Sequence, residues 1–251
     1  MNRFSAFAIH LGISLVIFAI LGFIIIEYWY PDFFFTADGG WQGIRIVALV
    51  DLVLGPTLTL VVYKKGKPSL KFDLTAIGVF QAVCLAAGVW VVFSERPLAM
   101  MYADGFFQTM TADDYLEAGK PVPDFADFPG RPPWISVQLP EDPTAQSKIR
   151  NESKMRGRSI KLAADFYVPF SPEHVDRQRD GITQGEIERI GAEVFEEFVK
   201  DHGGAVHDYL FLPFGTRYEQ ALMAFRKSDG ELIYLQIPIP DDPPEEVLGS
   251  E

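Results

Sequence analysis

Cysteine is almost absent: Cys84 is the only one, so the chain cannot form an internal disulfide. Histidine is scarce, at four. Only His202 and His207, in "DHGGAVH", lie close in sequence, and two histidines without a third ligand make a poor metal site. G-x-S-x-G, P-loop and C-x-x-C motifs are missing, and no nucleophile has an evident base. Basic residues are outnumbered, 22 against 34 acidic, for a net charge of −12. Nucleic acid binding needs the opposite balance. These absences predict a protein that is not an enzyme, with no cofactor, no metal and no nucleic-acid partner.

Charge is also missing where apolar residues gather. Mean hydropathy over all 251 residues is only +0.10, but the first ninety positions contain three runs near the ~20 residues that a helix needs to cross a bilayer. They span about 4–26, 44–63 and 74–93, and none has the polar face of a soluble helix. The first is too long for a signal-peptide core and is followed by bulky "YWYPDFFF", so it is expected to remain as an anchor.

The loop after the first run has no Lys or Arg, whereas the next loop carries Lys64, Lys65, Lys67 and Lys71. Basic short loops stay cytoplasmic. The N-terminus is therefore expected inside a bacterial inner membrane, with everything after Phe93 in the periplasm. Trp41 and Arg45 fall at the outer interface, and Tyr28, Trp29, Tyr30 and Trp90 join them as aromatic anchors.

Polar residues inside the runs are the candidate intramembrane contacts. Asp51 is expected about seven residues in from the outer end, roughly 10 Å deep. A carboxylate there should face protein, with Arg45 or its neighbours near the outer face, or a group on another protein, as partner. Pro56, after Gly55, removes one backbone donor and should leave a carbonyl near Leu52 for a neighbouring helix. His10 and Gln81 are expected at similar depth, within reach of one another. Gly12, Gly22, Gly78 and Gly88 offer close helix approach, within the bundle or against a partner.

Residues 94–240 read as an α+β domain and 241–251 as an acidic disordered tail. From residue 98 onward the chain holds 15 of the basic and 28 of the acidic residues. Strands are expected on both sides of Asp104-Gly105, in "WISVQLP", and in "DYLFLPF", "RYEQALMAFRK" and "ELIYLQIPIP", the last two joined by a hairpin turn at 228–230. Thr111 with Asp114 predicts a capped short helix ending at Gly119. One helix should run from Asp142 to about Tyr167, and another, capped by Thr183, to Gly203. Lys148, Arg150, Lys154, Arg156, Arg158 and Lys161 form a basic island, either a solvated helix face or a docking patch.

The segments "FAIHLGISL", "YPDFFFTADGGWQGIRI", "VDLVLGPTLTLVVY", "FDLTAIGVFQ" and "SERPLAMMYADGFF" resemble the N-terminal region of the type IV pilin accessory proteins TfpX and TfpZ, over roughly residues 4–107. The resemblance implies a multi-pass inner-membrane protein that aids a type IV major pilin's stability or assembly, with other pilus assembly components as further partners. It implies no catalytic residues. Pilins carry an acidic residue near the cytoplasmic end of their apolar helix, a depth at which His10 and Gln81 would hold it. The alternative is a sensory or ligand-binding membrane protein with a periplasmic domain.

Overall fold

The computed structural model describes residues 2–155, 159–216, 218 and 220–237. The expected tail at 241–251 lies outside them. The chain divides into two compact units: Met1–Ala99 with Met110–Pro133, and Met100–Thr109 with Trp134–Glu251.

Among the described residues, three helices in the first unit are long and apolar enough to cross a membrane: α1 (Arg3–Trp29), α3 (Gly40–Val62) and α4 (Leu70–Ser94). A four-residue helix, α2 (Phe34–Ala37), connects the first two. The Asn2 side chain caps α1 by accepting from Ser5 N at 2.8 Å. Exposed Ile13, Val16, Ile20 and Phe23 on α1, and Val79 and Val83 on α4, leave the outward faces apolar. Such a belt needs a lipid or protein cover. Inside, Ile25, Tyr30, Val47 and Val92 form one core cluster, closed by the Tyr30 hydroxyl donating to Val92 O at 2.9 Å.

The middle helix is longer than expected, beginning at Gly40 rather than Ile44. Its centre widens into a π turn over Leu49–Leu54, where Gly55 N–H reaches Val50 O. The turn ends two residues before Pro56, whose ring would otherwise press on the carbonyl four residues back. The helix thus absorbs the proline by widening its backbone locally. Within the chain, close approach is concentrated at other glycines. A side chain at Gly12, Gly22 or Gly78 would meet open space, and one at Gly88 only Ile46 at 3.1 Å. Gly43 is tight, since a Cβ there would lie 2.8 Å from Val92, and Gly40 and Gly55 are tighter still.

The sheet has seven strands in the order β4-β3-β1-β2-β5-β6-β7: β1 (Ala99–Ala103), β2 (Phe106–Met110), β3 (Trp134–Val137), β4 (Tyr167–Pro169), β5 (Tyr209–Gly215), β6 (Gln220–Arg226) and β7 (Leu232–Leu235). It is mixed. β1 pairs with β3 and β2 with β5 in parallel, whereas β3–β4, β5–β6 and β6–β7 are antiparallel. Asp104 and Gly105 make the β1–β2 turn with φ of 53° and 76°, the left-handed pair that a two-residue hairpin loop requires.

The short helix α5 (Ala112–Glu117) follows Thr111, whose backbone N–H donates to Asp114 Oδ2 at 2.6 Å. Two helices differ from expectation. α6 (Pro143–Met155) stops well short of Tyr167; residues 160–166 form two single 3₁₀ turns, and β4 begins where helix was expected. The segment after Thr183 is two helices, α7 (Gln184–Ile190) and α8 (Ala192–His202), parted at Gly191 with φ 113°. Phe195 and Phe198 of α8 pack on Tyr209, Phe211, Leu222 and Ala224 of the sheet.

Candidate functional site

The chemistry-bearing residues of the helical unit converge on one chain of hydrogen bonds. His10 on α1 contacts Thr59 Oγ1 on α3 through Nδ1 at 2.6 Å, and Gln81 Oε1 on α4 through Nε2 at 2.8 Å. The Gln81 amide nitrogen then donates to Asp51 Oδ1 at 2.6 Å and to Ser14 Oγ at 3.3 Å. Ser14 donates to the same Asp51 oxygen at 3.1 Å. With Gln81 Oε1 accepting, Nε2 of a neutral His10 carries the proton and Nδ1 accepts from Thr59.

All three long helices contribute, so the chain of bonds ties each to the other two. Asp51 is 0% exposed, and its second oxygen, Oδ2, has no partner among the described residues. Asp51 lies at the midpoint of α3, about 16 Å from either end at 1.5 Å per residue. It is therefore deeper than the sequence suggested, because the helix begins at Gly40. Its partners are Gln81 and Ser14, not Arg45. The exposed Arg45 guanidinium instead lies over the Trp41 ring, 5.5 Å from its centroid.

Gly55 and Pro56 are both buried beside this network. A Cβ at position 55 would overlap the Gln81 amide. Gly55 is thus the space into which Gln81 fits, and Pro56 with the π turn fixes where Asp51 points. Sequence reading missed Ser14 and Thr59. Their signal was spacing: Ser14 follows His10 by four, and Thr59 follows Gly55 by four, which places each pair on one helix face.

Beside His10 a cavity of about 330 Å³ opens between Ala6, Ile9, Ile13, Thr59 and Leu74. Its walls are apolar except for His10 and Thr59, which are already bonded to each other.

Among the described residues, two members of the basic island are drawn into other contacts. Arg150 is held by Asp104 in a two-pronged ion pair at 2.5 and 2.7 Å, which holds the Asp104 carboxyl below its ordinary value. Lys161 is not on the helix; it is 8% exposed, with Nζ 2.6 Å from Gln108 Oε1 and 3.9 Å from the Phe106 ring. Burial lowers its pKa to about 8. Arg156 and Arg158 lie outside the described residues, which leaves Lys148 and Lys154 exposed on α6. Of the two histidines weighed for metal, His202 donates from Nδ1 to Phe198 O at 2.9 Å and stacks on that ring, while His207 stands at the surface beside Asp208.

Comparison with known proteins gives one useful likeness. The chain is 25% identical over 169 residues to a protein of Dichelobacter nodosus named "Fimbrial assembly protein, serogroup I", a match covering 66% of each. No protein-family model matches the chain, and no solved structure matches it.

Proposed function

We propose that this protein is an inner-membrane accessory factor, or chaperone, for a type IV pilin, and that it acts by binding without catalysis. The likeness to a fimbrial assembly protein is the observation that carries this reading. The three long apolar helices and the segments shared with pilin accessory proteins support it. In this reading the N-terminus and the lysine-bearing loop are cytoplasmic and the sheet domain is periplasmic.

A pilin awaiting assembly has its apolar helix in the bilayer and its head outside. Two tethered contacts, one in lipid and one in the periplasm, raise each other's effective concentration. The bonds from Thr59 to Asp51 lock α1, α3 and α4 in register, so that the lipid-facing surface stays constant for a partner helix. Both ring nitrogens of His10 are engaged within the bundle, so a pilin carboxylate would reach it only by displacing Thr59 or Gln81. The network is therefore assigned to holding the bundle's shape.

Photo-crosslinkers placed at Ile13 and Val83, used in native membranes, are expected to capture a pilin. Crosslinked material that contains no pilin or other pilus component would overturn the reading.

A further inference from the structure

The sheet domain holds a polar cavity of about 720 Å³. It opens beyond the carboxyl ends of the parallel pair β1 and β3, bounded by Tyr102 to Gly105 and by Val137 to Leu139. Ligands of sheet-and-helix proteins commonly settle at such strand ends.

The polar groups on its wall divide into two sets. The carboxylates already have donors. Asp104 receives Arg150, and Asp180 receives the Tyr102 hydroxyl and the Asp176 backbone N–H. Asp176 receives Gln178 N at 3.0 Å. The close fit around Asp180 leaves no room for a side chain at Gly105.

The second set consists of unused donors. His174 Nδ1 accepts from Ser171 N at 3.1 Å and meets the Ser136 hydroxyl at 2.8 Å, and Ser136 is fully buried. With Nδ1 accepting, the neutral ring carries its proton on Nε2. That N–H has no protein partner among the described residues, and His174 lines the cavity. The exposed Arg179 guanidinium lines it too and likewise has no side-chain partner there. Each carboxylate already has at least one donor, whereas the His174 and Arg179 donors are open, which suits a ligand that accepts. The neighbouring aspartates disfavour a multiply charged anion.

We propose that this cavity binds a single carboxylate group, received by His174 Nε2–H and the Arg179 guanidinium. The carboxylate belongs either to a small acid or to a polypeptide C-terminus. The inference does not depend on the pilus reading.

The test is saturation-transfer NMR on the full chain in nanodiscs, with N-acetylglycine and N-acetyl-trialanine as probes. The amide of the second probe and empty nanodiscs serve as controls. Both carboxylates are expected to show saturable transfer and the amidated peptide none. Arg179→Ala, a surface change that spares the fold, should weaken binding at least tenfold, and Arg179→Lys should weaken it less. Tighter binding of the trialanine probe assigns a chain end, and equal binding a small acid. No saturable transfer from either carboxylate, equal transfer from the amide, or unaltered binding by Arg179→Ala would overturn the proposal.

Discussion

A methyl group at position 55 would overlap the Gln81 amide and drive it from both His10 and Asp51. Gly55→Ala is therefore expected to destabilise the helical unit by about 2–4 kcal/mol, combining overpacking with interhelical bonds of about 0.6 kcal/mol each. Gly12→Ala adds its methyl to open space and should change stability by less than about 0.5 kcal/mol. Thermal unfolding of both variants in detergent checks the pair; equal melting temperatures would refute the packing around Gln81. Lys161 gives a second expectation. Its folded value, about 8, lies below the ordinary 10.5 because of burial. The unfolded chain thus binds more protons between those values, so the stability of the sheet domain should rise as pH climbs from about 8 to 10.5. Below pH 8 the full cost of burying the charge is present. Lys161→Met should raise the domain's melting temperature at pH 7 and flatten its rise above pH 8, as read by unfolding at stepped pH. An unaltered slope would place the ammonium in solvent.

Gly191 decides an element. The apolar positions Ile187, Ile190, Val194, Phe195 and Phe198 continue across it, as one helix would require. At φ 113°, however, the backbone turns there, and α8 lays Phe195 and Phe198 on the sheet while Ile187 and Ile190 flank the same cluster. An alanine at 191 is expected to cost about 1–3 kcal/mol, the penalty of holding an L-residue in that region. Chemical denaturation would detect it; a stabilised variant would mean that the two helices merge without loss. The middle transmembrane-length helix shows the same logic. Its Gly-Pro pair was legible as an irregularity, but the π turn that absorbs the proline depends on three-dimensional packing.

For the whole molecule, the proposed orientation puts "KKGK" on one side of the membrane and residues 98–251 on the other. Cysteines introduced at Lys65 and at Lys148, in a Cys84→Ala background, should react with a membrane-impermeant maleimide in intact spheroplasts only at position 148. Labelling at 65 instead would invert the topology, and labelling at both would argue against a bilayer-spanning bundle. This measurement is independent of partner capture, so membrane placement and pilin binding can fail separately.

Composition and periodicity by themselves determined three apolar helices, a mixed helix-and-strand portion after them and the match of His10 with Gln81. These depend on local hydropathy and on rise per residue, both readable along one dimension. The strands around Asp104-Gly105 and the β6–β7 hairpin were legible for the same reason, since turn chemistry is local. Only the tertiary structure decided that β1 pairs with β3 and β2 with β5, because parallel partners are distant in sequence. It alone buried Lys161 and paired Arg150 with Asp104. It alone brought Ser14 and Thr59 to Asp51 and His10. A hydroxyl in an apolar helix is unremarkable until a neighbouring helix supplies its partner, and that neighbour is set by packing.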